Sequence, residues 1–313
     1  MRFTPSGAGN WESYTGGSEF NVLSALSKWN IPTEMITAVS SNSLGERIMQ
    51  DAKMNKVGTK QVIRNHHRQG IYFLESGNEL GTADVIYDRN SSAFSTLSRN
   101  AFNWKEVFSG CTWFHISAIT PALNETLALV AADALQTAKK MNITTSVDLN
   151  YRSMLWQYNK KPPEVMNMLM PYCDVVMGNI WSAEKLLGIS SAIGNSKEFS
   201  DEQLLDAATQ SILQLSQRWK HVSATALTFR LSSKYMAVLQ QGEKQVQSKK
   251  FILPPSSNNI GSGDCFMAGI IYGMQQRKSL QNIVDFASAA AIAKLQEKTD
   301  TTRQTIEQIN KLL

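Results

Sequence analysis

The chain has 313 residues, 42% of them hydrophobic, with 31 basic and 26 acidic side chains that leave a net charge of +5. That length supports a large buried core of one or two domains. The basic excess is mild and dispersed, which excludes a nucleic-acid-binding tail and suits small anionic ligands instead. Cys111, Cys173 and Cys265 sit in apolar contexts without CxxC or Cys/His spacing. They read as free thiols of a reducing compartment, not as a zinc site. No window reaches membrane-span length, and MRFTPSGAGN has no apolar signal core, so a cytoplasmic protein with no membrane and no nucleic-acid partner is expected.

In chain order, TGGSEFNVLSALSKWNI (15–31) opens with paired glycines. RNHHR (64–68) reads as an exposed basic turn, with His66 and His67 solvated. QGIYFLESG (69–77) and ADVIYDR (83–89) read as strands joined at Ser76-Gly77-Asn78. They form either a small antiparallel lid over a cleft or an ordinary edge hairpin.

From residue 111 onward strands and helices alternate. CTWFHISAIT (111–120) is a strand before a helix over 123–140. ITTSVDLN (143–150) and CDVVMGN (173–179) are strands, with helices near 163–170 and 201–218. HVSATALTF (221–229) is another strand. SLQNIVDFASAAAIAKLQEK (279–298) and residues 302–313 are helical. This pattern predicts an α/β fold with a mainly parallel sheet covered on both faces. His115 reads as a hydrogen-bonded core residue, and Trp11, Trp104, Trp113 and Trp219 as packing residues.

NNIGSGDCFMAGIIYGM (258–274) carries the chemistry. Gly261, Ser262 and Gly263 turn the backbone into a helix start, where unpaired N–H groups and the helix dipole favour an anion. Asp264 stands beside that anion, suited to take a proton from an attacking hydroxyl. No GK[ST] follows, so this is not a Walker loop, and it is not a dinucleotide fingerprint. A tight turn with an acid at a helix start is the plainer alternative. Arg89 and Arg152 are fixed cations with forked donors that suit a carboxylate or a phosphate. Arg152 lies at the carboxyl end of a predicted parallel strand, where open α/β sheets bind ligands. Tyr72 and Tyr87 offer a ring face and a hydroxyl, or simply pack the lid. Arg89 alternatively pairs with Asp88, and Asp148 and Asn150 alternatively order the strand end.

NxIGSGDCFMAGIIYG, with TGGSEFNVLSALSKWNI upstream, resembles the signatures of the ribokinase (phosphofructokinase-B type) sugar kinases, in order over nearly the whole chain. QGIYFLESG, VIYDRNSSA (85–93) and VDLNYRSMLW (147–156) are most similar to the 2-keto-3-deoxygluconate kinases. The resemblance implies a single three-layer ribokinase-like domain over 1–313, with a β lid from about 1–18 and 60–95. A first core strand would lie upstream of Met1.

The implied reaction moves the γ-phosphoryl of ATP to the terminal (C6) hydroxyl of 2-keto-3-deoxygluconate, with Mg2+. Fructose or another ketose or sugar acid is the alternative substrate, and a non-catalytic sugar-acid or nucleotide sensor is a further alternative. Asp264 would be the base, with Gly261, Ser262 and Gly263 holding the phosphoryl. Gly16, Gly17, Asn21, Tyr72, Tyr87, Arg89 and Arg152 would bind the substrate. Asn179, Thr228, Arg230, Ser232 and Ser288 would line the nucleotide site. Glu184 would reach Mg2+ through water, or else pair with a lysine on the helix surface.

Some residues depart from the pattern. Asn258 and Asn259 replace the acid that many relatives place near a monovalent cation, so a role for K+ stays open. Ser182 stands where relatives carry a magnesium-ordering glutamate. ALTFRLSSK lacks the usual glycine, and KTDTT (298–302) replaces the usual Gly-Asp. The family's lids often pair through their β-surfaces, which implies a homodimer.

Overall fold

The structure, a computed structural model, describes residues 1–74, 85–191, 193–194, 199–231, 233–253 and 259–313. The first half contains β1 (Arg2–Pro5), β2 (Trp11–Tyr14), α1 (Ser18–Lys28), β3 (Thr37–Ser40), α2 (Ser43–Met54), β4 (Val62–Asn65), β5 (Ile71–Leu74), β6 (Val85–Asp88), α3 (Trp104–Val107), β7 (Trp113–Ser117), α4 (Ile119–Ala122), α5 (Glu125–Lys140) and β8 (Thr144–Asp148). The second half contains α6 (Pro162–Leu169), β9 (Val175–Gly178), α7 (Ile180–Leu187), α8 (Asp201–Arg218), β10 (Ala224–Arg230), β11 (Lys234–Gln241), β12 (Lys244–Gln247), β13 (Phe251–Ile252), α9 (Ser262–Gln275), α10 (Leu280–Lys294) and α11 (Ile306–Asn310).

The main sheet runs β12-β11-β10-β9-β8-β7, with β13 on β11. Strands β7 to β10 are parallel, and β11 returns antiparallel beside β10. The parallel strands are buried, as their nearly continuous apolar sequences require when helices cover both faces. On one face α9 and α10 pack against β9, β10 and β11. In their contact Gly269 lies against Ala287 and Gly273 against Ile283, where the missing side chains let the two helices approach. On the other face α5, α6 and α8 cover the sheet.

A second sheet, ordered β2-β1-β5-β6, is the lid. Its registers, Arg2 opposite both Tyr14 and Tyr72 and Tyr72 opposite Tyr87, put those four residues on one face. Phe3, Phe73 and Ile86 are likewise opposite one another on the other face. Trp11 joins them edge-on to Phe73, with ring centroids 5.4 Å apart. The lid is thus two-faced, one side tyrosine and arginine, the other apolar. Trp11, read from sequence as a packing residue, is 48% exposed on that apolar face, and Ile86 is 51% exposed.

The lid is smaller than the span 60–95 implied. β4 falls inside that span but pairs in parallel with β3, in a separate two-stranded sheet. The reason is local: helix α2 connects them, and a strand–helix–strand unit delivers its second strand parallel to its first. The predicted turn at Ser76-Gly77-Asn78 lies outside the described residues. A cavity of about 220 Å³ lies where residues 36–39 and 114–116 face one another, between β3 and β7.

Candidate active site

The carboxyl ends of β8, β9 and β10 open into a larger cavity of about 540 Å³, roofed by the tyrosine face of the lid. Its position follows the rule for open α/β sheets, in which ligands lie beyond the carboxyl ends of the strands. The floor is the start of α9.

Gly261 caps that helix in the left-handed conformation, at φ 74°. A side chain there would also meet the Asp300 carbonyl oxygen, 2.3 Å from the Cβ position. Glycine is therefore required twice, for the turn and for the close approach. The turn leaves the first helical amides facing the cavity, which Gly261, Ser262 and Gly263 line together with Asp264.

Asp264 is held from both sides. Ser18 Oγ donates to Oδ1 at 2.7 Å, and Asn21 Nδ2 donates to Oδ2 at 2.7 Å. Asn150 Nδ2 in turn donates to Ser18 Oγ at 3.3 Å. Burial pushes the Asp264 carboxyl up to about 6, against the hydrogen bonds from Asn21 and Ser18 and the charge of Arg152, which favour the ion. A carboxylate near 6 is a stronger base than an ordinary aspartate and remains ionised at neutral pH. Asp148 lines the same cavity, and burial, with Asp264 nearby, pushes its carboxyl well above the usual range.

Three arginines line the cavity: Arg89 from the lid, Arg152 after β8, and Arg230 at the end of β10. None forms an ion pair among the described residues. Arg68, not Arg89, pairs with Asp88. Arg89 instead lies over the rings of Tyr72 and Tyr87, with centroids 5.5 and 5.0 Å away. Burial lowers the pKa of Arg89 and of Arg230, and the charge of Arg152 acts on both. Three cations share one cleft whose own carboxyls, Asp148 and Asp264, are raised by burial. Such a site attracts anions.

The far end of the cavity lies at the ends of β9 and β10 and the start of α7. Asn179 caps α7, its Oδ1 accepting from Ser182 N at 2.8 Å, and Thr228 Oγ1 donates to Gly178 O at 3.2 Å. Asn179, Ser182, Thr228 and Arg230 all line the cavity. Among the described residues no group of three or more His, Cys, Asp or Glu forms a metal cage.

Most of the residues singled out from sequence therefore meet in this cavity: Gly17, Asn21, Tyr72, Tyr87, Arg89, Arg152, Asn179, Thr228, Arg230 and Gly261 to Asp264. Three do not line it. The Glu184 carboxylate accepts from Ser191 and lies 3.9 Å from Lys185, so it is a helix-surface acid turned away from the cleft. Ser288 is fully buried in α10, inside the core. Gly16 packs under the cavity against Asp300, whose Oδ2 would be 2.1 Å from a Cβ there. Ser232 lies outside the described residues. Asn21, expected to meet substrate hydroxyls, gives its amide to Asp264 instead.

Sequence reasoning missed Ser18, the third residue of GGS, and left Asp148 and Asn150 as strand-end residues. It also passed over Asp300, which accepts from Arg2 Nε at 2.8 Å and from the Tyr72 hydroxyl at 3.0 Å. The position of Ser18 beside Gly17 was the available signal. Nothing local marks Asp300, because its partners lie far away in the chain.

The cleft thus brings a buried carboxyl, Asp264, and the start of a helix together under the lid. Residues 4–306 match the model of the pfkB family carbohydrate kinases, and the chain belongs to that family. Such kinases use ATP and Mg2+. A 2-dehydro-3-deoxygluconokinase from Thermotoga maritima is 29% identical and superposes with a TM-score of 0.91 over 99% of this chain and 95% of that one. A 2-dehydro-3-deoxygalactonokinase from Haloferax volcanii is 32% identical over 168 residues, about half of each chain (53% and 52%). A 2-dehydro-3-deoxygluconokinase from Bacillus subtilis is 23% identical over 285 residues, covering 91% of this chain and 81% of the relative. A putative ribokinase II from E. coli, in complex with ATP and Mg2+, shares the fold at 17% identity, with a TM-score of 0.78 over 99% and 94% of the two chains. No helix among the described residues is long and apolar enough to cross a membrane.

Proposed function

We propose that this carbohydrate kinase phosphorylates the terminal (C6) hydroxyl of 2-keto-3-deoxygluconate. The observation that carries the reading is the set of cavity arginines without carboxylate partners. A neutral hexose needs no such cations, whereas a sugar acid needs at least one and ATP phosphates employ others. In this reading Arg89 and Arg152, at the lid end, take the sugar carboxylate, and the Tyr72 and Tyr87 hydroxyls and Asn150 meet its oxygens. Arg230, Thr228 and Asn179 take the nucleotide. Bound Mg·ATP supplies the phosphoryl group and the metal charge. Asp264, aimed by Ser18 and Asn21, accepts the proton of the attacking hydroxyl. The Gly261–Gly263 amides bear the charge that grows on the transferring group. The tyrosine face of the lid closes the site against water.

One relative favours a companion reading, the C4 epimer 2-keto-3-deoxygalactonate. The Haloferax relative is named for it, and nothing in an arginine–carboxylate contact distinguishes the epimers. Turnover measured with both keto-deoxy acids, and with fructose, ribose and gluconate, tests the class and the epimer together. A preference for fructose would remove the carboxylate assignment. The sensor alternative has no need for a base aimed by two hydrogen bonds. The exposed apolar face of the lid, carrying Trp11 and Ile86, supports a homodimer formed by lid-to-lid packing.

A further inference from the structure

The loop after α10 passes beneath both halves of the site. Arg2 Nη2 donates to Lys298 O at 2.8 Å, and Arg2 Nε pairs with the buried Asp300 carboxylate. Asp300 accepts from Tyr72 on the lid, packs on Gly16, and sets its carbonyl against Gly261. Arg2, Tyr72, Gly16 and Gly261 thus rest on two residues of one loop, Lys298 and Asp300. A loop so placed must itself be fixed.

Lys294, the last residue of α10, fixes it. Its side chain is 0% exposed, which is rare for lysine. Its Nζ donates to Thr299 O at 2.6 Å and to Glu297 O at 3.4 Å. Among the described residues it forms no ion pair, so carbonyl oxygens are its hydrogen-bond acceptors. Its Cε lies 3.2 Å from the Cβ position of Gly261, so the ammonium sits directly below the anion-binding turn. A buried ammonium held by backbone carbonyls costs desolvation. That cost is tolerated where the charge organises something.

We propose that Lys294 is a positioning residue for phosphoryl transfer: its ammonium is a built-in cation that gathers the Glu297 and Thr299 carbonyls and thereby seats the Gly261 turn and the lid contact Asp300–Tyr72. It touches neither substrate, and it acts through the turn and the loop. Because the cation is covalently supplied, the site has no requirement for a free monovalent ion. The catalytic half of this inference rests on the kinase reading above; the structural half does not.

The test compares wild type, Lys294→Arg and Lys294→Met, the last keeping the stem's bulk. The first readout is amide hydrogen exchange over 261–265, which requires no substrate. The methionine variant should exchange faster there while the middle of α10 stays protected. Ammonium or methylammonium chloride, but not tetramethylammonium, should restore protection, and the arginine variant should lie between. The second readout is turnover. The methionine variant should lose on the order of 100-fold in kcat with little change in sugar KM, since small misplacements near reacting atoms cost that much. Ammonium should return part of it, and wild type should be indifferent to exchanging K+ for tetramethylammonium. Unchanged exchange at 261–265 in the methionine variant would overturn the proposal. So would exchange that rises evenly through α9 and α10 without ammonium rescue, or wild-type turnover activated severalfold by K+. If wild type phosphorylates no sugar, the kinase reading fails, while the exchange data still decide the role of Lys294.

Discussion

Replacing Asp264 by Asn separates the cost of the base from its use. Burial lifts this carboxyl from 3.8 to about 6. Ionising it in the folded chain therefore costs about 3 kcal/mol relative to the unfolded chain. The stability held by this group is present below pH 3.8 and is lost as pH rises through about 6. An amide carries no charge at any of these pH values. Asp264→Asn should therefore exceed wild type in stability at pH 8, and the advantage should shrink by about 2–3 kcal/mol on going to pH 4.

The new amide has one acceptor where the carboxylate had two. Asn21 can turn its Oδ1, which has no hydrogen-bond partner, toward the new NH2 group. The Ser18 hydroxyl can rotate likewise. An unmatched donor would subtract about 1–3 kcal/mol from the advantage at every pH, leaving its pH dependence intact. Urea unfolding of both proteins at pH 4, 5, 6 and 8 measures the difference. Turnover at pH 8 should fall about 100- to 10,000-fold, the usual worth of a positioned base. A stability difference that does not change with pH would refute the raised carboxyl, and near-normal turnover would refute the base.

Further outcomes follow from the same geometry. The kcat/KM profile should lose activity as pH falls through about 6, because protonated Asp264 cannot accept a proton; a profile flat from pH 5 to 8 would contradict this. Arg152→Ala should raise the KM for a keto-deoxy acid and move that acid limb to higher pH, since removing a nearby cation makes the carboxyl harder to ionise. Ser18→Ala should lower kcat by about tenfold, the effect of losing one charge-assisted hydrogen bond of about 1.5 kcal/mol, with sugar binding by calorimetry nearly unchanged. Ile86→Lys on the apolar lid face should turn a dimer into a monomer in gel filtration; a wild-type monomer at dilute concentration would dispose of lid pairing.

The parts of this molecule that sequence reveals are those with local causes. The alternation of apolar strands with amphipathic helices follows from burial on both sheet faces, and the predicted helix over 201–218 agrees with α8, whose start carries a Ser200/Gln203 capping box. GSGD reveals its turn because a left-handed glycine and a helix start are adjacent in sequence. Relations across long separations leave no such mark. Ser18 and Asn21 meet Asp264 only through the packing of α1 against α9. Asp300 joins Arg2 and Tyr72 at the loop after α10. Lys294 reads as the basic residue that commonly ends a helix, yet its ammonium turns inward. Glu184 shows the opposite case: the resemblance implied a metal role through water, but its carboxylate accepts from Ser191 and lies beside Lys185 on the helix surface. The two faces of the lid become visible only when the register is known, because each strand is four residues long and β1 reaches its neighbour β5 from almost seventy residues away.

The central claim is that one cleft joins a raised aspartate base to arginines selecting a sugar acid. The most direct test is a coupled ADP-release assay with Mg·ATP, offering 2-keto-3-deoxygluconate, 2-keto-3-deoxygalactonate, fructose, ribose and gluconate in parallel. The account predicts turnover with a keto-deoxy acid, lost in Asp264→Asn and shifted to high KM in Arg152→Ala. Turnover confined to a neutral sugar, or undiminished in Asp264→Asn, would contradict it.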